Sequence, residues 1–288
     1  MEEREGTKPA PSFSPPVSSI PAIIRKAIRF LLKNEKLMLQ LFILVLIPFL
    51  ILALLHTLIA LPFIGKVEDG FESSALDLQD LISLVIVEIP FAFALCLLLL
   101  YASAITISAA SHQGGLKETL LSIKSTWTRV LISGLYASCP KIAFVAAATA
   151  STRLTALIPV LAALTFPYFA SICSLVLVIS TVDDEYPVWK IAFRRAREVT
   201  RQGRFQGYFL MFMLVLLNVP VYALFYVTAT DDDDANGMIT QFAFVLVATA
   251  LLCMTNIFTD VVCTLFYLDY KQRNGNDIEE SVSLCTAY

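Results

Sequence analysis

Charge is what this chain has least of. Only 16% of its 288 residues are Asp, Glu, Lys or Arg, where soluble domains carry about a quarter. There are too few polar groups to cover a water-facing surface. Chemistry-bearing motifs are equally sparse. The two histidines, His56 and His112, sit in no HExxH pattern, and neither a GxSxG elbow nor a P-loop occurs. The six cysteines form no CxxC and no Cys/His cluster, which removes the usual zinc spacings. Cys96, Cys139, Cys173, Cys253 and Cys263 lie in apolar runs, where cysteine behaves as a small hydrophobe; Cys285 stands alone. No disulfide framework, metal or cofactor is implied. Residues 1–20, acidic and rich in Pro and Ser, have no apolar core and read as a disordered tail rather than a secretory signal.

Hydrophobic length is abundant. The chain is 57% hydrophobic with a mean hydropathy of +0.74, which makes it an integral membrane protein. Backbone groups in hydrocarbon must be satisfied internally, so the expected fold is all-α. Six runs reach span length, at roughly 37–61, 81–111, 130–150, 156–181, 209–228 and 238–270. A polar tail is expected from Lys271 to Tyr288, and acidic loops at Pro62–Asp80 and Asp231–Asp234.

Three amphipathic stretches precede pairs of these runs. In AIIRKAIRFLLKNEK, the residues Ile23, Ile24, Ala27, Ile28, Phe30 and Leu31 share one side, with Arg25, Lys26, Arg29, Lys33 and Lys36 on the other. Leu116, Leu120, Ile123 and Trp127 form a second stripe, with Lys117 beside it. The third stretch is the most basic. Val188, Trp189, Ile191, Ala192, Phe193, Ala196 and Val199 lie opposite Lys190, Arg194, Arg197 and Arg201, and only Arg195 falls among the apolar residues. Such helices are expected to lie in the membrane boundary with their cations toward lipid headgroups. Asp183, Asp184 and Glu185 suit the N-terminus of the third.

The apolar triplets Ile24/Ile28/Leu31, Leu116/Leu120/Ile123 and Trp189/Phe193/Ala196 share one spacing, each followed at its first member by a cation. The reading is three parallel units, about 21–113, 114–184 and 185–270, each an interfacial helix and two spans. All Lys and Arg except Lys66, Lys141 and Arg153 fall on one side of this arrangement. The positive-inside tendency then puts both termini in the cytoplasm, in either the endoplasmic reticulum or the plasma membrane. The expected partners are the bilayer and its anionic lipids, through Arg25, Arg29, Lys117, Lys190, Arg194, Arg197 and Arg201. No nucleic acid is implied.

Ionisable groups inside spans cost roughly 2.5–3.5 kcal/mol each on insertion scales, so Glu88, Lys141 and Asp260 are functional candidates. At 1.5 Å per residue, Glu88 and Lys141 sit about 12 and 16 Å in from opposite faces, which makes them the preferred ion pair. Asp260 shares a helical stripe with Thr249, Cys253, Asn256 and Cys263, at steps of four and three; that stripe must face protein or water.

Two stretches, VWKIAFRRAREVTRQGRFQGYFL and FTDVVCTLFYLDYKQRNG, resemble a broad family of multi-pass proteins. It includes the membrane domain attached to some bacterial glycerophosphodiester phosphodiesterases and the YciC-like inner-membrane proteins. The layout is most similar to an uncharacterised plant transmembrane family within that group. Its recurring features map onto Ala192, Arg194, Arg195, Thr200 and Arg201, and onto Tyr267, Asp269 and Arg273. The phosphodiesterase barrel is absent, so the resemblance implies a fold and a membrane but no activity. The functional expectation is a non-enzymatic membrane protein, transport-related, lipid-binding or scaffolding. The alternative is an intramembrane enzyme acting on lipid through Asp260 and His112.

Overall fold

The computed structural model describes residues 19–72, 78–112, 115–151, 157–183, 189–202, 204–230 and 237–286. Side chains at one end of several helices, among them 140–151, 157–164, 222–230 and 237–242, lie outside the description. All regular structure among the described residues is α-helical. The helices are α1 (Ile20–Lys33), α2 (Glu35–Glu72), α3 (Leu78–His112), α4 (Leu116–Ser151), α5 (Leu157–Val182), α6 (Trp189–Gln202), α7 (Arg204–Thr230) and α8 (Gly237–Thr286).

Local chemistry explains the first break. Pro21 opens α1, where its missing N–H costs nothing. Asn34 closes it: its backbone N–H and its Nδ2 both donate to the Phe30 carbonyl, at 3.1 and 3.0 Å. The Asn34 carbonyl then accepts from the N–H of Met38, starting α2. Lys33 at the end of α1 and Glu35 at the start of α2 each suit the local helix dipole.

Among the described residues, four segments are long and apolar enough to cross a membrane: Glu35–His56, Val85–Ser111, Thr165–Val182 and Ala243–Arg273. A fifth is added if the bent pair Lys190–Arg201 and Gln206–Val221 counts as one. The expected third and fifth spans lie in α4 and α7 and run into side chains outside the description.

The core is concentrated at one end. Ala104 to Ala110 of α3, Ala170 to Cys173 and Leu175 to Thr181 of α5, and Val261 to Tyr267 of α8 are all buried. The polar members of these runs bond back to their own helix: Thr106 to the Ala102 carbonyl, Ser180 to Val176 and Thr181 to Leu177. Small residues such as Ala104, Ser108, Ala109 and Ala110 let the helices approach closely. Toward the other end, where several side chains lie outside the description, many described apolar side chains face outward. Ile51, Leu54, Leu55 and Leu58 of α2, Ile82, Ile86 and Ile89 of α3, and Leu216, Leu217 and Val219 of α7 are exposed. Water would penalise so large an apolar surface, whereas a bilayer requires it.

α8 is the central helix, packing against α1, α2, α3, α5 and α7. It runs antiparallel to α7: Gly207 faces Phe266, Cys263 faces Met211, and the Thr255 hydroxyl donates to Asn218 Oδ1 at 2.9 Å.

Several boundaries differ from the sequence reading. The helix α2 passes through Pro62 to Glu72, where a loop was expected, and α8 continues through Thr286 instead of ending at a tail. The stretch Leu116–Thr128 is not a separate interfacial helix. Thr119, Ile123, Val130, Ser133 and Ala137 are buried along one side of a single helix α4, with half-buried Trp127 between them packed edge-to-face on Tyr101 at 5.5 Å. In α1 the buried residues are Ile23 and Ala27, while Ile28 of the repeated triplet is 45% exposed.

Candidate functional site

α6 carries the strongest concentration of charge. Its narrow apolar face of Ala192, Ala196 and Val199 is fully buried, and it packs mainly on α5, with lesser contacts to α4 and α7. Thr200, buried on the same face, donates to the Ala196 carbonyl at 2.8 Å. The face expected to lie in lipid is therefore covered by protein, and of its aromatics Phe193 is exposed. The small residues Ala192 and Ala196 are the reason, since they let α6 sit tight against α5. Arg195, the cation among the apolar residues, is half-buried and engaged. α6 meets α7 at 99°.

That bend opens a cleft of about 940 Å³, lined by Arg194, Arg197, Glu198, Thr200 and Arg201 of α6 with Tyr168 of α5 and Tyr208 of α7. The three guanidiniums are exposed, and among the described residues none is ion-paired. Five donors per guanidinium in a fixed fork, with phenols on the opposite walls, suit an anion with several oxygens, such as a phosphate. Glu198 is the one opposing charge. Arg25 and Arg29 on α1 and Lys117 on α4 are exposed but line other surfaces; Lys190 is exposed and engaged.

Behind α6, Asp183 is not part of its N-terminus. It ends α5, its backbone N–H donating to Ile179, and its carboxylate turns into the bundle. Tyr267, fully buried, donates its hydroxyl to Asp183 Oδ2, and Lys271 Nζ donates to Oδ1 at 2.6 Å. Arg273 and Asp269 pair at 3.2 Å one turn apart. The α5–α8 junction under the basic helix is thus tied by a buried carboxylate.

The intramembrane candidates fall into two places along α8. Thr249, Cys253 and Cys263 are buried, and Asn256 and Asp260 are half-buried, so the stripe faces protein. Asn256 and Asp260 line a cavity of about 10 Å³ with Ser103 and Thr106 of α3 and Phe49 of α2, and Asp260 is partnered. Glu88 has a partner that the sequence reading did not name. Its Oε1 lies 2.9 Å from His56 Nε2 on α2, across a crevice that also holds Thr249. The preferred partner, Lys141, is on α4 with its side chain outside the description, as is the side chain of His112 at the end of α3. His56 was missed as a partner. The signal was available, because it and Glu88 stand at similar depth on consecutive antiparallel runs.

Among the described residues no group of three His, Cys, Asp or Glu side chains is placed to hold a metal ion. No family model, curated protein or solved structure matches the chain.

Proposed function

We propose that this is a six-span, non-enzymatic membrane protein that holds anionic lipid headgroups in the cleft between α5, α6 and α7. The observation that carries the reading is the convergence of Arg194, Arg197 and Arg201, without ion-pair partners among the described residues, on one cleft. Six helices, α2, α3, α4, α5, α7 and α8, have 26 residues or more. Each exceeds about 39 Å, against a hydrocarbon core of about 30 Å. The cations of α1, α6 and the Lys117 end of α4 belong to the cytoplasmic face, in the endoplasmic reticulum or plasma membrane. Kinship with the YciC-like and plant multi-pass proteins is proposed on the two stretches that resemble them.

The alternative, a lipid enzyme built on Asp260 and His112, has weaker support. A cavity of about 10 Å³ holds about one water, too little for the reacting part of a lipid.

The test uses the full protein in phosphatidylcholine nanodiscs with or without phosphatidic acid, retained lipid being counted by native mass spectrometry. Cations near such a surface contribute about 1 kcal/mol each, so a variant with Arg194, Arg197 and Arg201 all changed to Gln should hold phosphatidic acid about 100-fold more weakly. Glu198→Gln, which removes the opposing charge, should tighten it several-fold. Equal retention of neutral and anionic lipid by the parent protein would reject the reading, as would an unaffected triple variant.

A further inference from the structure

At the splayed end, α2, α3 and α8 enclose a crevice of about 340 Å³ that the headgroup reading does not use. Its walls are apolar: Phe49, Leu52, Phe91, Ala92, Leu95 and Leu252. Its polar groups are His56, Glu88 and Thr249. The His56 ring also meets Phe91 edge-on at 5.1 Å, which fixes the imidazole against the wall. An apolar chamber of this size with a few convergent polar groups has the form of a small-molecule site.

The electrostatics select the occupant. All three polar residues lie in or at the end of apolar spans: His56 closes Glu35–His56, Glu88 follows Val85, and Thr249 lies in Ala243–Arg273. Glu88 is 42% exposed and His56 37%, so the pair faces the chamber and is not sealed behind it. The imidazole satisfies Oε1 of Glu88; among the described residues Oε2 has no hydrogen-bond or ion-pair partner. Among its lining residues, α8 offers only Thr249 and Leu252 and no cation. A carboxylate in apolar surroundings with half its acceptor capacity unused is costly, and a charged donor is what offsets that cost.

We propose that this crevice binds a lipophilic amine, its ammonium on Glu88 Oε2 and its chain along Phe49, Leu52, Phe91 and Leu95. The ammonium supplies a donor and a positive charge that Glu88 Oε2 does not receive among the described residues, and the hydrocarbon tail has the wall it needs. A neutral alcohol of the same length fills the wall but supplies no charge.

The experiment uses the full protein in phosphatidylcholine nanodiscs and two photoreactive alkyl probes of equal length, one ending in an amine and one in an alcohol. Cross-linked peptides are identified by mass spectrometry. The amine probe should label peptides containing Phe49–Leu52 or Phe91–Leu95, and dodecylamine should compete far better than dodecanol. Glu88→Gln should weaken amine labelling about tenfold or more while leaving alcohol labelling in place, which also shows that the crevice still forms. Ala92→Trp, filling the chamber from an exposed position, should abolish both. The triple Arg-to-Gln variant of α6 should change neither, which separates this site from the headgroup cleft. Equal labelling by amine and alcohol would overturn the proposal and point to a His56–Glu88 pair already neutral in itself. Labelling indifferent to Ala92→Trp would overturn it as well.

Discussion

Asp183 illustrates how one carboxylate decides the stability of a junction. It is 4% exposed, takes a hydrogen bond from the buried Tyr267 hydroxyl, and faces Lys271, whose side chain is 49% exposed. The two ends of this ion pair are therefore not equivalent. Lys271→Met leaves a buried carboxylate with one neutral donor, whereas Asp183→Asn leaves a lysine that can turn to water and an amide that still accepts from Tyr267. Breaking a buried pair costs about 3–5 kcal/mol when the remaining charge is trapped, and the exposure of Lys271 discounts that to about 1–3. Lys271→Met should lower the melting temperature in detergent more than Asp183→Asn does, and the double variant should recover to the level of Asp183→Asn. Equal, additive losses would mean that Asp183 is reached by water. Gly134 makes a second residue-scale prediction. A Cβ there would meet Leu100 Cδ2 at 2.5 Å and Cδ1 at 3.1 Å in the α3–α4 contact. Gly134→Ala should cost about 1–3 kcal/mol through overpacking, less the roughly 1 kcal/mol that alanine adds to helix propensity. In a Leu100→Ala background, itself destabilised by the lost packing, Gly134→Ala should cost nothing further; if it costs as much as in the parent, the clash is not the cause. At this scale the sequence identified which residues matter better than what they touch. Glu88 and Asp260 stand out as charges in apolar runs, but depth counting considered Lys141 alone as a partner for Glu88 and passed over His56, which reaches it from α2. Asp183, adjacent to two other acids, looked like a helix-start charge; only the fold brings Tyr267 and Lys271 to it across more than eighty residues.

The helices themselves were legible wherever one physical pattern dominated. Long apolar runs gave α2, α3, α5 and α8, and the basic and apolar faces of α1 and α6 are plain in the sequence. Boundaries were less so, because a helix in a membrane protein does not end where hydrophobicity does. α2 passes Pro62 and α8 passes Lys271, each as one continuous helix. α4 is the clearest case. Its amphipathic start and its apolar continuation look like two elements, yet Thr119, Ile123, Val130 and Ala137 lie on one stripe that α3 and α5 bury together. This continuity is testable at Thr128, which is exposed and falls where the interfacial helix was expected to end. Thr128→Pro should cost about 3 kcal/mol by removing a helix bond and clashing with the preceding turn, whereas Thr128→Ala should be close to neutral. Folded yield and thermal melting read the difference; a well-tolerated proline would mean a break between two helices after all.

At the scale of the whole molecule the bundle has two unlike ends, and charge, packing and span count have to agree about them. One end gathers α1, α6, the start of α4 and the buried runs of α3, α5 and α8; the other exposes Ile, Leu and Phe side chains around the His56–Glu88 crevice. Cations gather at the first end, and the proposed orientation, with that end cytoplasmic, follows the positive-inside tendency. The span count then fixes the termini. If α4 does not cross, the number is five when α6 and α7 together make one span and four when they make none, and the loops change sides accordingly. α7 argues for a crossing of its own. Gly207, Met211 and Asn218 lie opposite Phe266, Cys263 and Thr255, so α7 follows the spanning part of α8 step for step, while the 99° turn sets α6 across that direction. α4 has 36 residues, about 54 Å of helix, more than a crossing needs. Six crossings put both termini on the cytoplasmic side and the segments around Ser73 and Asp233 on the opposite side. With the native cysteines replaced, single cysteines at those two positions should be shielded from an impermeant maleimide added to the cytoplasmic face, in sealed cytoplasmic-side-out vesicles, and react only once the membrane is opened or, at the plasma membrane, when the reagent is added outside intact cells. Cysteines at residues 5 and 287 should react in those vesicles while they are still sealed. Termini on opposite sides would make the count odd; labelling at Asp233 only from the cytoplasm would mean that α7 or α4 does not cross, and in the second case the arginine cleft leaves the cytoplasmic side.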